Sequence, residues 1–128
     1  MSTPSNPTLI ITRQPNADLS SSEWLLVKPN GDDDLDLAGA GDLAIGALTN
    51  DVADGSGTNT AYVPVQVGGM IKVECGGACT AGSLAASDAA GKAVDAADGD
   101  YAFGIALETH ANGDIGAFLW APSYLETT

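Results

Sequence analysis

The histidine and the two cysteines are the residues of this sequence best suited to chemistry. His110 precedes Asn112-Gly113, so it falls at a predicted turn, where we expect it to be exposed to solvent. General base catalysis needs a partner and a pocket, and the sequence around His110 supplies no nucleophile. Cys75 and Cys79 enclose Gly-Gly-Ala. Two cysteines without a histidine close by in the sequence do not complete a structural zinc site, and a reducing compartment favours free thiols over the short disulfide that the glycines would allow. We therefore expect no catalytic residue and no metal site.

Two further motifs match known ligand-binding motifs only in part. Residues 39–44 fit the pattern Gly-x-Gly-x-x-Ala, but a dinucleotide fingerprint must connect a strand to a helix. Here an acidic run comes before the motif and a predicted strand follows it. The acidic run itself, residues 32–36, opens like an EF-hand loop, but the sixth and twelfth positions, which require Gly and Glu, are Leu37 and Leu43. We interpret the first motif as a glycine turn and the second as a solvated loop, and we expect no cofactor.

The overall charge excludes several classes of partner. The chain has 17 acidic against 4 basic residues, a formal net charge of −13. Such a surface repels nucleic acid and anionic membranes, because Lys and Arg supply most of the affinity for both. No apolar run approaches the about 20 residues that span a bilayer, and the N-terminus does not have the pattern of a secretory signal. We therefore expect synthesis in the cytoplasm and no nucleic-acid or membrane partner.

From Leu43 onward, residue types alternate with a period of two, which is typical of β-strands. We therefore expect short strands to position any functional group. The predicted strands are Leu43–Leu48, Ala61–Val67, Met70–Glu74, Leu84–Ser87, Lys92–Val94, Tyr101–Leu107 and Ile115–Trp120. Strands about ten residues apart with turn signals between them are typical of a small β-barrel or β-sandwich. The Ala-rich residues 81–97 have helix propensity, but their glycines and aspartates favour a hairpin. The fold class is all-β, built of short antiparallel strands, with a thin core because only 5% of the chain is aromatic.

The first 41 residues differ in composition from the rest. We predict that residues 1–41 form an extended N-terminal arm and acidic loop, and that residues 42–128 form the β domain. Two β-prone runs lie in the arm, Leu9–Thr12 and Glu23–Lys28. They either pair with the edge of a neighbouring subunit or form edge strands of the same domain. Large apolar residues in exposed arms are typical interface anchors, so we select as candidate contacts Ile10, Ile11, Trp24, Leu25 and Leu26.

Five segments between about Asp42 and Pro122 follow one another in a recognisable order: Ile45–Leu48, Val63–Gly69, Cys79–Leu84, Asp88–Ala93 and Phe103–Glu108. They contain a strand, a Gly-Gly turn, a Thr-Ala-Gly step before a hairpin, and a late Gly-Ile-Ala-Leu strand. This succession resembles the small head proteins of tailed bacteriophages known as capsid decoration or cement proteins.

The resemblance implies a non-enzymatic structural protein of the virion. Such a protein forms a homotrimer on the outer capsid surface and bridges adjacent major capsid proteins at three-fold and quasi-three-fold positions. Deleting residues 1–28 should then weaken capsid attachment and leave the β domain folded. The alternative is a β-type module that binds carbohydrate on a virion or cell surface, which would need exposed aromatic residues along a groove. No catalytic constellation supports an enzyme.

Overall fold

The computed structural model describes residues 9–13, 23–30, 34–49 and 63–124, and this part of the chain contains β-strands and no helix. The strands are β1 (Ile10–Arg13), β2 (Leu26–Pro29), β3 (Leu35–Leu37), β4 (Gly46–Leu48), β5 (Val63–Gln66), β6 (Met70–Glu74), β7 (Leu84–Ser87), β8 (Ala93–Asp95), β9 (Tyr101–Ala106) and β10 (Ile115–Tyr124). An N-terminal sheet has the order β1-β5-β4-β2-β3, and a C-terminal sheet has the order β6-β10-β9-β7-β8. The predicted all-β fold is confirmed, and it is a sandwich because the two antiparallel sheets do not close into a barrel.

The C-terminal sheet follows the alternation of its sequence. In β6, Ile71 and Val73 are fully buried and Lys72 is exposed, as the period-two pattern predicts. The hairpin predicted within residues 81–97 is confirmed, since β7 pairs with β8. Asp88 closes its turn by accepting the amides of Ala90 and Lys92 at 2.8 and 2.9 Å, a typical use of Asp in turns.

One strand departs from simple alternation. Phe103 and Ile105 are two residues apart in β9, yet Phe103 is buried against Phe118, whereas Ile105 pairs with the exposed Leu119. The register between β7 and β9 shifts at Ala85/Ala86, as it does at a β-bulge, and a bulge changes the face on which the following residues lie. Tyr101, Phe103, Ile105 and Leu107 therefore do not share one face.

The first 41 residues contribute three of the five strands of the N-terminal sheet, β1, β2 and β3. β2 lies between β4 and β3 in the N-terminal sheet, and its Leu26 and Val27 are fully buried. The boundary that we predicted after residue 41 lies between β3 and β4 along the chain. Both strands pair with β2, so this boundary divides a single sheet. The loop predicted for the acidic run is wrong at its end, because Leu35–Leu37 form β3 and Leu35 is buried.

The core lies between the two sheets and contains few large side chains. Eight of the buried hydrophobic residues are alanines. The larger members of the main cluster are Leu26, Ile71, Val73, Phe103 and Phe118. Val27, Leu48 and Val65 belong to a second buried cluster; because side chains alternate along β2, this cluster lies on the opposite face of the N-terminal sheet.

Candidate interaction surfaces

The apolar residues of β1 lie at an edge of the N-terminal sheet. Ile10 pairs with Gln66 and Ile11 pairs with Val65 of β5, and no other described strand pairs with β1. Ile10 is 50% exposed, and Leu9 beside it is 60% exposed. Ile11 is half-buried and packs against the second cluster. With respect to the described strands, β1 is therefore an edge strand that bears apolar side chains, and such an edge can pair with another chain.

The other three candidate contacts connect the two sheets. The Trp24 amide donates to the Leu48 carbonyl and the Glu74 amide donates to the Trp24 carbonyl, both at 3.0 Å. Trp24 has φ 69°, a left-handed conformation that is strained for a bulky residue. Trp24 and Leu25 are half-buried, whereas Leu26 belongs to the core of its own chain. Leu26 is therefore enclosed within the sandwich, where another protein does not reach it.

The structure does not bring the five candidate contacts together. β5 and β4 lie between β1 and β2 in the sheet, so Ile10 and Ile11 are separated from Trp24, Leu25 and Leu26 by the width of two strands.

Sequence reasoning missed a second apolar surface, on the outer face of the C-terminal sheet. Leu119 of β10 pairs with Met70 of β6 and with Ile105 of β9, and Ile105 in turn pairs with Leu84 of β7. Directly opposed residues point to the same face of a sheet. Phe118, the neighbour of Leu119, points into the core, so this row of four residues points outward. The alternation in β6 and β10 contained the signal, because strands of this type bury one face and expose the other.

Among the described residues, the exposed aromatic side chains form a small pair. Tyr101 and Tyr124 are 43% and 51% exposed, with ring centroids 4.9 Å apart and planes tilted by 52°. Phe103 and Phe118 are buried in the core. A sugar-binding platform presents an aromatic face to the ring it stacks on, and two tilted tyrosines offer little such surface.

The groups suited to chemistry are part of the interior or its border. His110, predicted to be exposed, has a side chain only 18% exposed, which corrects that prediction. Its backbone pairs with that of the buried Cys79. Nε2 lies 3.3 Å from Glu108 Oε1, and Nδ1 lies 3.7 Å from Asp114 Oδ2, but Nε2 makes no hydrogen bond.

Both cysteines are buried free thiols. Burial raises the pKa of the Cys75 thiol, and burial together with a hydrogen bond to Cys75 raises the pKa of Cys79 to about 12. A thiol with so high a pKa is unreactive, because the thiolate is the nucleophile. Among the described residues, no three His, Cys, Asp or Glu side chains are grouped so as to hold a metal ion.

Many of the acidic side chains have structural partners. Asp42 accepts hydrogen bonds from Lys28 Nζ at 2.6 Å and from the Gly39 amide at 2.8 Å, and these two bonds lower its pKa. Lys92 forms an ion pair with Glu74 at 3.0 Å.

Comparison with known proteins identifies the family. The model of the phage cement protein family matches residues 4–119. The chain belongs to the phage cement protein family. A cement protein is a structural component of the phage capsid, so this chain is a capsid-associated structural protein of a virion. The match begins at residue 4, so it includes the N-terminal region in which the sequence alone revealed no resemblance.

The fold of this cement protein has a precedent among solved structures. The crystal structure of the N base of the head fiber gp8.5 of bacteriophage phi29 is similar, with a TM-score of 0.66 and 18% sequence identity. The similarity covers 94% of this chain and 100% of that chain. A search of curated proteins found none that matches. In the described part of the cement protein, no helix has the length and apolar character needed to cross a membrane.

Proposed function

We propose that this cement protein decorates the exterior of a phage head as a homotrimer, at three-fold and quasi-three-fold positions, where it bridges adjacent major capsid proteins. The family match over residues 4–119 carries the proposal. The role is structural and not catalytic: the thiols are buried, and His110 has carboxylates as its polar side-chain neighbours.

Attachment to the shell takes place through the edge of β1. An edge strand can accept a strand of a partner, with backbone hydrogen bonds providing affinity and side chains providing specificity. Ile10 and Leu9 are the exposed apolar side chains at this edge, and Ile11 is next to them. Trp24 and Leu25, half-buried beside β2, form a second, smaller contact.

The electrostatic balance and the copy number fit this role. A chain with a formal net charge of −13 has no general affinity for the packaged genome, so it stays outside the shell. Synthesis takes place in the host cytoplasm, where the thiols remain reduced. Many copies on one lattice, each bridging several capsid subunits, hold firmly even if each single contact is weak.

A binding assay with phage heads that lack the protein tests the proposal. Purified protein is mixed with expanded heads, the heads are sedimented, and cryo-electron microscopy locates the added density. We expect density at three-fold and quasi-three-fold positions. Absence from the heads, or density confined to other positions, would contradict the proposal.

A pair of matched variants tests the contact at β1. Ile10→Glu changes a residue that is 50% exposed, and Leu43→Glu changes one that is 53% exposed but lies outside the strands. We expect Ile10→Glu to lower the occupancy of the heads at least about tenfold, the equivalent of about 1.4 kcal/mol, while Leu43→Glu binds as the unmodified protein does. Equal binding by the two variants would remove β1 from the contact.

A further inference from the structure

The outer face of the C-terminal sheet bears a continuous apolar patch. One row across the sheet consists of Met70, Leu119, Ile105 and Leu84. The adjacent row consists of Lys72, paired with Ala117, and Leu107, whose amide donates to the Ala117 carbonyl at 3.1 Å. We call these two rows the apolar patch. Met70, Leu107 and Leu119 are 37%, 45% and 45% exposed, and a contiguous surface of this kind marks an interaction site.

The apolar patch is free of acidic residues in a chain that is rich in them. Glu74 and Glu108 lie at its border, and Glu74 is neutralised by an ion pair with Lys92 at 3.0 Å. Inside the patch the charged residue is Lys72. Lys28 and Lys92 have carboxylate partners, whereas no ion pair is formed by Lys72 within the described residues. The patch is thus neutral to positive on a molecule with a formal net charge of −13.

We propose that the apolar patch is the surface through which copies of this chain contact one another. The proposal deepens the proposed function, from which it takes the self-association, and it assigns that association to a defined face. Two molecules that each carry a formal net charge of −13 repel one another, and like charges brought together at an interface cost several kcal/mol. Copies can therefore approach most easily through a face without unbalanced acids.

The charge of Lys72 argues in the same direction. A second copy provides carboxylates in abundance, since the chain contains 17 acidic residues. An exposed lysine within an otherwise apolar contact gains an opposite charge from such a partner. Contact through this face is also distinct from contact through β1, because β1 belongs to the other sheet. One molecule can therefore bind the shell and its neighbours simultaneously.

Sedimentation velocity of the full chain, without capsids and over a range of concentrations, tests the proposal. We expect reversible association of the unmodified protein, which becomes stronger with added NaCl because salt screens the repulsion between copies. Leu119→Glu should raise the dissociation constant at least about tenfold, because it places a carboxylate in an apolar contact. Leu43→Glu is the matched control and should associate normally. Lys72→Glu should also weaken association, with a deficit that shrinks as the salt concentration rises.

Circular dichroism and thermal unfolding show whether each variant is folded, so that a loss of association can be distinguished from a loss of structure. Leu119 is 45% exposed, so Leu119→Glu should retain the fold. A monomeric unmodified protein at all concentrations, or equal association of Leu119→Glu and Leu43→Glu, would overturn the proposal. A monomeric protein whose Leu119→Glu variant fails to bind heads would also overturn it, and would assign the patch to the capsid. Association through the patch by a protein that does not bind heads would support this inference while refuting the proposed function.

Discussion

Deleting residues 1–28 removes β1 and most of β2, and we expect the remaining chain to lose its fold. Leu26 is fully buried between the two sheets, and Val27 is fully buried in the second cluster. The burial of each aliphatic side chain of this size stabilises a protein by about 1.5–3 kcal/mol. The truncation therefore exposes apolar surface on both faces of the N-terminal sheet.

The same truncation breaks the backbone hydrogen bonds that residues 24–27 make to both sheets. The Leu26 amide donates to the Gly91 carbonyl at 2.7 Å, and the Val27 carbonyl accepts from Ile45 at 2.9 Å. Trp24 and Leu26 carbonyls accept two more such bonds, from Glu74 and Ala38. With about 0.5–1.5 kcal/mol for each bond, the total loss is on the order of 8 kcal/mol.

A loss of this size reverses our expectation that the domain would stay folded without its first 28 residues. Native proteins are stable by about 5–15 kcal/mol in all, so little or no stability remains. A shorter deletion, of residues 1–13, removes only β1 from the described strands, and we expect it to cost about 1–3 kcal/mol, since Leu9 and Ile10 are exposed.

Urea unfolding followed by circular dichroism distinguishes the two truncations. The chain without residues 1–13 should unfold cooperatively at a lower urea concentration than the full chain, and the chain without residues 1–28 should have no cooperative transition. A cooperative transition of the latter, with a midpoint near that of the full chain, would refute this reasoning and make residues 1–28 a separable arm.

Three further perturbations have expected outcomes that follow from single residues. Trp24→Gly should be more stable than Trp24→Ala by about 1 kcal/mol, because φ is 69° at this position and only glycine adopts such a conformation without cost; urea unfolding of the two variants measures the difference. Asp42→Asn should cost at most about 1 kcal/mol at pH 7, because the ion pair with Lys28 is partly exposed to solvent. The pKa of Asp42 is lowered from 3.8, so this stabilisation is complete above that pH and is lost as the pH falls through the lowered value; urea unfolding at pH 7 and in acid checks this. Cys79, whose pKa is raised from 9.0 to about 12, has a thiolate fraction about a thousandfold below that of an ordinary thiol near neutral pH, so a maleimide should label it only in urea.

Each of these outcomes can be contradicted directly. Equal stability of the two Trp24 variants would mean that the backbone relaxes at no cost. A difference between Asp42→Asn and the unmodified protein that persists unchanged in strong acid would exclude the ion pair as its source. Rapid labelling of Cys79 in buffer, by a protein that circular dichroism reports as folded, would mean that the core near β6 opens without unfolding.

The alternation of side chains predicted the strands of the C-terminal sheet well. β6 has the predicted bounds, Met70–Glu74, because its apolar and charged residues alternate strictly. β3 was missed for the opposite reason: Leu35 alternates with acids, and we gave more weight to the acids than to the period. The pairing partners of β2 could not be predicted, since contact with β4 depends on residues distant in sequence and leaves no local signal.

The face of the sheet on which each side chain lies was harder to predict than the positions of the strands. The bulge between β7 and β9 follows from how two strands fit together, so the outward position of Ile105 could not be obtained from β9 alone. The apolar patch was missed because an alternating strand was assumed to have a polar outer face. The candidate contacts in residues 23–28 were chosen for their apolar character, which also suits a core strand, and Leu26 is a core residue for that reason.

Several of the acidic residues in the described part of the chain lie in turns. The carboxylates of Asp42, Asp88, Asp100 and Asp114 each accept a backbone amide of the turn in which they lie, as short connections between strands commonly require. Turns lie at the ends of strands, so these charges are placed away from the middle of the sheets, and the charged outer positions of β6 are Lys72 and Glu74, of which Glu74 is paired with Lys92. A sandwich built in this way resists association end to end and permits it through a sheet face or a sheet edge. A protein that lies beside its neighbours on a shell, as we propose for this one, must associate in some directions and not in others, and acidic turns at the ends of many short strands would provide that difference.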